Sequence, residues 1–138
     1  MAKGKVSPEL IEQFKQIVGE KYVYTDKDKL EPYSHDEVTD PHYMKEPQVV
    51  VLPATTEEVS KVVKLCYEND TVMVPRAAGT GLAAGAVATF GGVIISIERM
   101  NKILEIDKDN MVCVSEAGVT TSVLQDAVQK EGLFYGGD

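Results

Sequence analysis

The sequence predicts an α+β fold with a small, mainly parallel sheet. Short apolar, β-branched runs recur at Gln48–Leu52, Val72–Pro75 and Val93–Ile97, the pattern of strands buried on both faces. A capped helical segment joins the first two runs, and such a strand–helix–strand unit favours parallel strands. Two further strand-like runs, Lys102–Ile106 and Met111–Ser115, flank the turn-forming Asp107-Lys108-Asp109-Asn110 and read as a separate pair.

In chain order, Ser7-Pro8-Glu9 opens the first helix. Ser7 supplies a cap, Pro8 suits the first helical position and Glu9 meets the positive helix end. Leu10, Ile11, Phe14, Ile17 and Val18 recur at helical spacing, and Gly19 terminates the run. Residues 26–47 are polar and hold Pro32, Pro41 and Pro47; they read as a short helix near Asp28–Tyr33 and an irregular lead-in. Pro53 ends the first apolar strand. Thr55 and Glu58 then form a capping box. The helix it starts runs to about Asn69, with Val59, Val62, Val63 and Cys66 on its inner face. The last helix spans about Thr120 to Lys130, with Val123, Leu124, Ala127 and Val128 inward and Gly132 as terminator. Leu133-Phe134-Tyr135 begins an extended segment. No internal repeat is present.

The chain has 138 residues, enough for one ordinary domain. Hydrophobic residues make up 43% and charged residues 26%, which places it with globular rather than disordered chains. A net charge of −8 argues against nucleic acid or an anionic membrane surface as partner, because both need a cationic face. No apolar run reaches the roughly 18 residues of a membrane-spanning helix. The lysines near the N-terminus precede no apolar segment, so no secretory signal is expected. A cytoplasmic location follows as the expectation, with any membrane association made through partner subunits. Cys66 and Cys113 fall in separate elements and read as reduced thiols. The sequence holds no CxxC, no HExxH and no His cluster, and no metal site is expected.

The segment that carries chemistry is Val74–Ala86. It follows a strand and is almost free of bulky side chains. Small residues let the backbone approach an anion and turn its N–H groups inward, which cradles a phosphate without a lysine. Gly79 leaves space for that approach, Thr80 adds a hydroxyl donor and Arg76 adds charge nearby. A P-loop is excluded, because no lysine follows any glycine of the loop. The dinucleotide fingerprint is closer: Gly79, Gly81 and Gly85 spell GxGxxxG. Glu98 lies 19 residues beyond Gly79 at a strand end, where a ribose-binding acid would sit. Yet Leu82–Gly91 is the only segment available for a crossover helix. It has ten residues, two of them glycine, and no amphipathic period, against a need for about 10–12 in the whole crossover. A mobile surface loop is the plain alternative. The alanines and valine are too apolar for a solvated linker, and a long loop without secondary structure is usually functional.

Several motifs now stand in order: Pro75-Arg76-Ala77-Ala78-Gly79-Thr80-Gly81-Leu82, Gly92 through Ile103 (GVIISIERMNKI), Glu116-Ala117-Gly118-Val119 and Gly132-Leu133-Phe134-Tyr135. Together they resemble the FAD-binding domain of the vanillyl-alcohol-oxidase, or PCMH, type found in the flavin subunit of glycolate oxidase and in bacterial D-lactate dehydrogenases. The resemblance covers about residues 30–138. It implies two α+β subdomains with FAD between them. The strands at 48–52, 72–75 and 93–97 and the helix at 56–69 would build the first; the strands at 103–106 and 111–115 and the helix at 120–130 would begin the second. Residues 1–46 would be a helical lead-in, and 47–138 the N-terminal part of the domain, ending inside a flavin-binding motif.

The resemblance also implies site residues. Pro75, Arg76, Ala77, Ala78, Gly79, Thr80, Gly81 and Leu82, with Ala84, Gly85 and Ala86, match the pyrophosphate loop. Glu116, Ala117, Gly118 and Val119 match a second flavin-contacting turn. Tyr135, Gly137 and Asp138 match the start of a third, where relatives carry prolines in place of Gly136 and Gly137. Ala77 stands where glycine is usual and would be strained if that position needs positive φ. Thr80 stands where relatives with covalent flavin carry histidine, so FAD is expected to be held non-covalently. Tyr33-Ser34-His35-Asp36 matches a lead-in segment near the flavin, with surface capping an equal reading for His35 and Asp36. Arg99-Met100 reads as a structural corner, His42 as exposed and Cys66 as a core thiol. The implied activity is oxidation of a 2-hydroxy acid, of the D-lactate or glycolate type, to the 2-oxo acid. Electrons would pass to an acceptor subunit such as an electron-transfer flavoprotein or iron–sulfur protein. The alternative is a non-catalytic FAD-binding or interaction module that associates through an incomplete sheet. No catalytic residue is named.

Overall fold

The computed structural model describes residues 5–137. The first helix, α1 (Pro8–Val18), starts as the sequence indicates: the Ser7 hydroxyl accepts from the Leu10 N–H at 3.2 Å, and Gly19 closes it at φ +92°. A 3₁₀ turn leads to β1 (Val23–Tyr24), and α2 (Lys27–Leu30) and a second 3₁₀ turn follow. β2 (Val49–Val51), α3 (Thr56–Glu68), β3 (Met73–Arg76) and β4 (Val93–Ser96) complete the first layer. The strand order is β1-β2-β4-β3. β4 lies parallel to both β2 and β3, whereas β1 pairs antiparallel with β2. β2 and β3 therefore run parallel, as the strand–helix–strand pattern predicts, but β4 is inserted between them.

The sheet is buried on both faces. Val49, Val51, Val93 and Ile95 pack under α1 and α3 with Leu10, Phe14, Val18, Val62 and Cys66. Val50 and Ile94 face the other way, against Leu30, Leu52 and Ala88. Every residue of β2 and β4 is buried, which explains their unbroken apolar runs. Ala88 comes from the long segment between β3 and β4. Together with buried Val87 it shows that part of that segment's apolar content is core. Pro75, which cannot donate a ladder hydrogen bond, sits on the edge strand β3.

The second layer is a hairpin, β5 (Ile103–Asp107) and β6 (Val112–Ser115), followed by α4 (Thr121–Lys130). Its turn is closed by Asp107, whose carboxylate accepts from the Asn110 N–H at 3.0 Å and from the Asn110 amide at 2.7 Å. No helix among the described residues is long and apolar enough to cross a membrane, and no metal-ligating cluster is found among them.

Some expectations need correction. Val63 is exposed on α3 and Leu65 turns inward instead, because only Val62 and Cys66 point straight at the sheet. On α4 only Val128 is fully buried; Val123 is half exposed. Burial pushes the Cys66 thiol up to about 11, as suits a core residue rather than a reactive one.

The capping box of α3 is also modified. The Thr55 hydroxyl accepts from the Glu58 N–H at 3.2 Å, but the Glu58 carboxylate reaches past the cap to the Ala54 N–H at 2.7 Å. Thr55→Ala is expected to destabilise the fold by about 1 kcal/mol, read as a lower midpoint in urea denaturation. An unmoved midpoint would mean that water replaces the cap without loss.

Candidate functional site

Residues 77–92, between β3 and β4, contain no helix, so the crossover of a dinucleotide-binding βαβ unit is absent. What shapes this loop instead is Arg76. Its side chain is buried and forms no ion pair among the described residues. One guanidinium nitrogen donates to the carbonyls of His35 (2.8 Å) and Ala86 (3.1 Å), and the other donates to Pro32 (3.3 Å). The cation thus ties the lead-in and the start of the loop to its middle, at Ala86. The Glu37 N–H adds a bond to the Gly81 carbonyl at 3.1 Å. A Cβ at Gly79, which sits at φ +74°, would collide with the Arg76 guanidinium. Glycine is favoured there by its positive φ and by the space the arginine occupies.

The loop faces the second layer across a cleft. On one side of the cleft a cavity of about 680 Å³ is lined by Ala77–Gly81, Ala86 and Val119–Ser122. On the other a cavity of about 670 Å³ is lined by Tyr33, Arg76, Ala77, Ala78, Glu98, Asn101, Gly118, Val119 and Thr120, among others. Ala77, Ala78, Val119 and Thr120 border both. The two layers are stitched at Gly118: its N–H donates to the Met100 carbonyl at 2.8 Å, and a Cβ there would strike the Ile97 and Met100 carbonyl oxygens. The first turn of α4 opens onto the cleft. Thr120, its N-cap, makes no side-chain capping bond, so the leading N–H groups of this helix have no capping side chain and carry the positive end of its dipole.

Of the residues named from sequence, Arg76–Gly81, Ala86, Gly118 and Val119 reach these cavities. Leu82 is largely exposed, and Ala84 borders a different hollow with His42, Tyr43 and Phe90. Pro75 lies in β3, and Gly85 stands in open space. Glu116 and Ala117 line neither cavity. The Glu116 carboxylate accepts from the Lys102 N–H at 2.8 Å and braces the turn. Tyr135 and Gly137 line neither cavity; the Gln125 side chain holds Gly137 at 3.0 Å. Asp138 lies outside the described residues. The strain expected at Ala77 is absent, since the positive-φ alanine is Ala84, at +55°.

Asn101 and Thr120–Ser122 join the cleft without having been singled out; Tyr33, read only as part of a lead-in segment, and Glu98, weighed only as the acid of a dinucleotide fingerprint, join it too. Hydroxyl residues directly after Gly118-Val119 at a helix start were the available signal for Thr120–Ser122. The Tyr33 hydroxyl donates to Glu98 at 2.5 Å. Burial, and then that bond, raise the Tyr33 phenol well above its usual range. Asp36 accepts from the Val38 N–H at 3.0 Å, while its other oxygen is buried beside Gly81 without a partner among the described residues. Arg99 is the corner expected: it donates to the Leu52 carbonyl at 2.7 Å and lies 3.3 Å from the Tyr22 ring centroid.

A family model described as FAD binding domain matches residues 47–138. The chain belongs to this FAD binding domain family. FAD is its cofactor, and its two-layer architecture is that of the family's α+β fold. The chain is 44% identical over 133 residues to D-lactate dehydrogenase from Anaerostipes hadrus, a match covering 96% of this chain and 27% of that protein. It is 39% identical over 103 residues to glycolate oxidase subunit GlcD from Bacillus subtilis (strain 168), covering 75% and 22%. It is 35% identical over 128 residues to D-2-hydroxyglutarate dehydrogenase from Stutzerimonas stutzeri (strain A1501), covering 93% and 27%. The chain spans about a quarter of the length of these curated relatives. Among solved structures, p-cresol methylhydroxylase with substrate bound aligns with a TM-score of 0.80 at 28% identity, covering 91% of this chain and 25% of that one. Alkyldihydroxyacetonephosphate synthase aligns at 0.83 and 23% identity, covering 100% and 27%, a likeness of fold alone.

Arg76→Lys is expected to cost roughly 2 kcal/mol, because one compact ammonium cannot serve carbonyls from three segments. Denaturation should shift accordingly, and amides of residues 77–92 should exchange faster. Unchanged exchange in that loop would mean that the clamp does not hold it.

Proposed function

We propose that the complete protein oxidises a 2-hydroxy acid to the 2-oxo acid with FAD, and that this chain holds the diphosphate of FAD in the cleft between residues 77–81 and the first turn of α4. The observation that carries the reading is that a side-chain-poor loop faces an uncapped helix N-terminus across a cavity of about 680 Å³. Both surfaces offer N–H groups to an anion, and the helix adds its dipole. At Gly118 backbone packs directly on backbone, which holds the turn before α4 against the end of β4 and so sets the width of the cleft. When bound, FAD supplies the two-electron acceptor. The chain's own part is to bind and orient. Thr80 offers a hydroxyl donor, and Arg76 fixes the loop's shape while its own donors are occupied by carbonyls.

Neither cavity is lined by histidine or cysteine, which supports non-covalent attachment. The substrate class is supported by relatives named for D-lactate, glycolate and D-2-hydroxyglutarate, all of them 2-hydroxy acids. D-Lactate or glycolate is our choice among them. A relative named as a subunit supports assembly with other subunits; an electron acceptor such as an electron-transfer flavoprotein or iron–sulfur protein is our choice for that partner, because reduced FAD must pass its electrons on. No residue of this chain is assigned to the chemical step.

Gly81→Val tests the phosphate assignment more cleanly than any change at Gly79. Gly81 is not at positive φ, and a Cβ there meets nothing closer than Asp36 Oδ2 at 3.8 Å. In the complete protein the variant should keep its stability within about 1 kcal/mol while FAD affinity drops at least about tenfold, as a side chain fills the approach space. FAD titration followed by flavin fluorescence gives the affinity. A Gly81→Val protein that binds FAD like the wild type would sink the loop assignment.

A further inference from the structure

The cavity on the far side of the cleft contains an acceptor that the phosphate reading does not use. Glu98 sits just beyond the C-terminal end of the central strand β4. Its Oε1 accepts from the Tyr33 hydroxyl at 2.5 Å and from the Ser96 hydroxyl at 3.2 Å. These donors come from the lead-in and from the sheet, so the carboxylate is oriented by two independent elements. Its Oε2 accepts no hydrogen bond among the described residues, and Glu98 lines the cavity of about 670 Å³. No cation pairs with it among the described residues: Arg76 borders the same cavity, but its guanidinium is bonded to carbonyls. The cavity shares the wall formed by Ala77, Ala78, Val119 and Thr120 with the proposed diphosphate cradle. A ligand that fits both must present an anion and, next to it, hydroxyl donors.

We infer that Glu98 binds a sugar or polyol hydroxyl of FAD through its unpartnered carboxylate oxygen, with Tyr33 and Ser96 as the residues that orient it. The inference rests on the proposed diphosphate site and extends it along the cleft. The chemistry is a hydroxyl donated to an oriented carboxylate, the role an acid at a strand end serves in dinucleotide sites, reached here without the crossover helix. Two parts of FAD carry such hydroxyls on either side of the diphosphate: the ribose of the adenosine and the ribityl chain.

Glu98→Gln in the complete protein separates the possibilities. Glutamine keeps the size and can still accept from Tyr33 and Ser96, but it turns an N–H₂ donor toward the cavity. FAD affinity should fall about tenfold, the loss expected for one hydrogen bond to a charged group, with the denaturation midpoint unmoved. FMN is the second probe. If the ribose is bound, FMN affinity stays constant and only FAD weakens; if the ribityl chain is bound, both weaken together. Tyr33→Phe should weaken FAD in the same direction by a smaller factor, and it serves as the test should Glu98→Gln fold poorly. Wild-type affinity for both flavins in Glu98→Gln, or in Tyr33→Phe if that is the variant that folds, would overturn the inference. Gly81→Val fails or succeeds separately, since it probes the loop alone.

Discussion

A single buried cation organises the first half of the cleft. Arg76 ends the edge strand β3 and spends its guanidinium on carbonyls of Pro32, His35 and Ala86. A buried charge is tolerable only when its hydrogen bonds are made, and here carbonyl dipoles make them in place of a carboxylate. The consequence is geometric. The lead-in and the middle of the loop are both fixed to one planar group that itself ends β3, so the loop keeps an open shape without secondary structure. Gly79 follows from the same constraint, since the guanidinium occupies the space a side chain would need.

The second constraint is backbone contact at Gly118. It brings the turn before α4 against the end of β4, and only a residue without Cβ permits that approach. The helix N-terminus then faces the glycine-rich loop. The two layers differ in how well they are supported. The four-stranded sheet is covered on both faces. The hairpin β5–β6 leaves Leu104, Val112 and Val114 exposed, and a lone two-stranded sheet is marginal in water. The Lys108–Glu131 ion pair that joins it to the end of α4 is solvent-exposed and contributes little.

The apolar character of the loop has two origins that composition cannot separate. Val87 and Ala88 are core residues that plug the sheet's second face. Ala77, Ala78 and Ala86 line the cleft. The same residue types serve packing in one half and line the proposed FAD cleft in the other.

Local chemistry carried most of the secondary structure. The Ser7 and Thr55 caps, the Gly19 and Gly132 stops, the unbroken runs of β2 and β4 and the Asp107–Asn110 turn each act within a few residues, so they are legible in order along the chain. β1 was not, because two residues have no period; it exists because Val23 and Tyr24 find the free edge of β2. The small-residue loop and the Glu116–Val119 turn were also legible, as motifs. That Arg76 spends its donors on backbone carbonyls and braces the loop, that β4 slips between β2 and β3, and that Glu98 and the first turn of α4 share a cleft with the loop were decided by the tertiary structure alone. Those facts depend on residues tens of positions apart meeting through packing, and no local pattern encodes which backbone a side chain will reach.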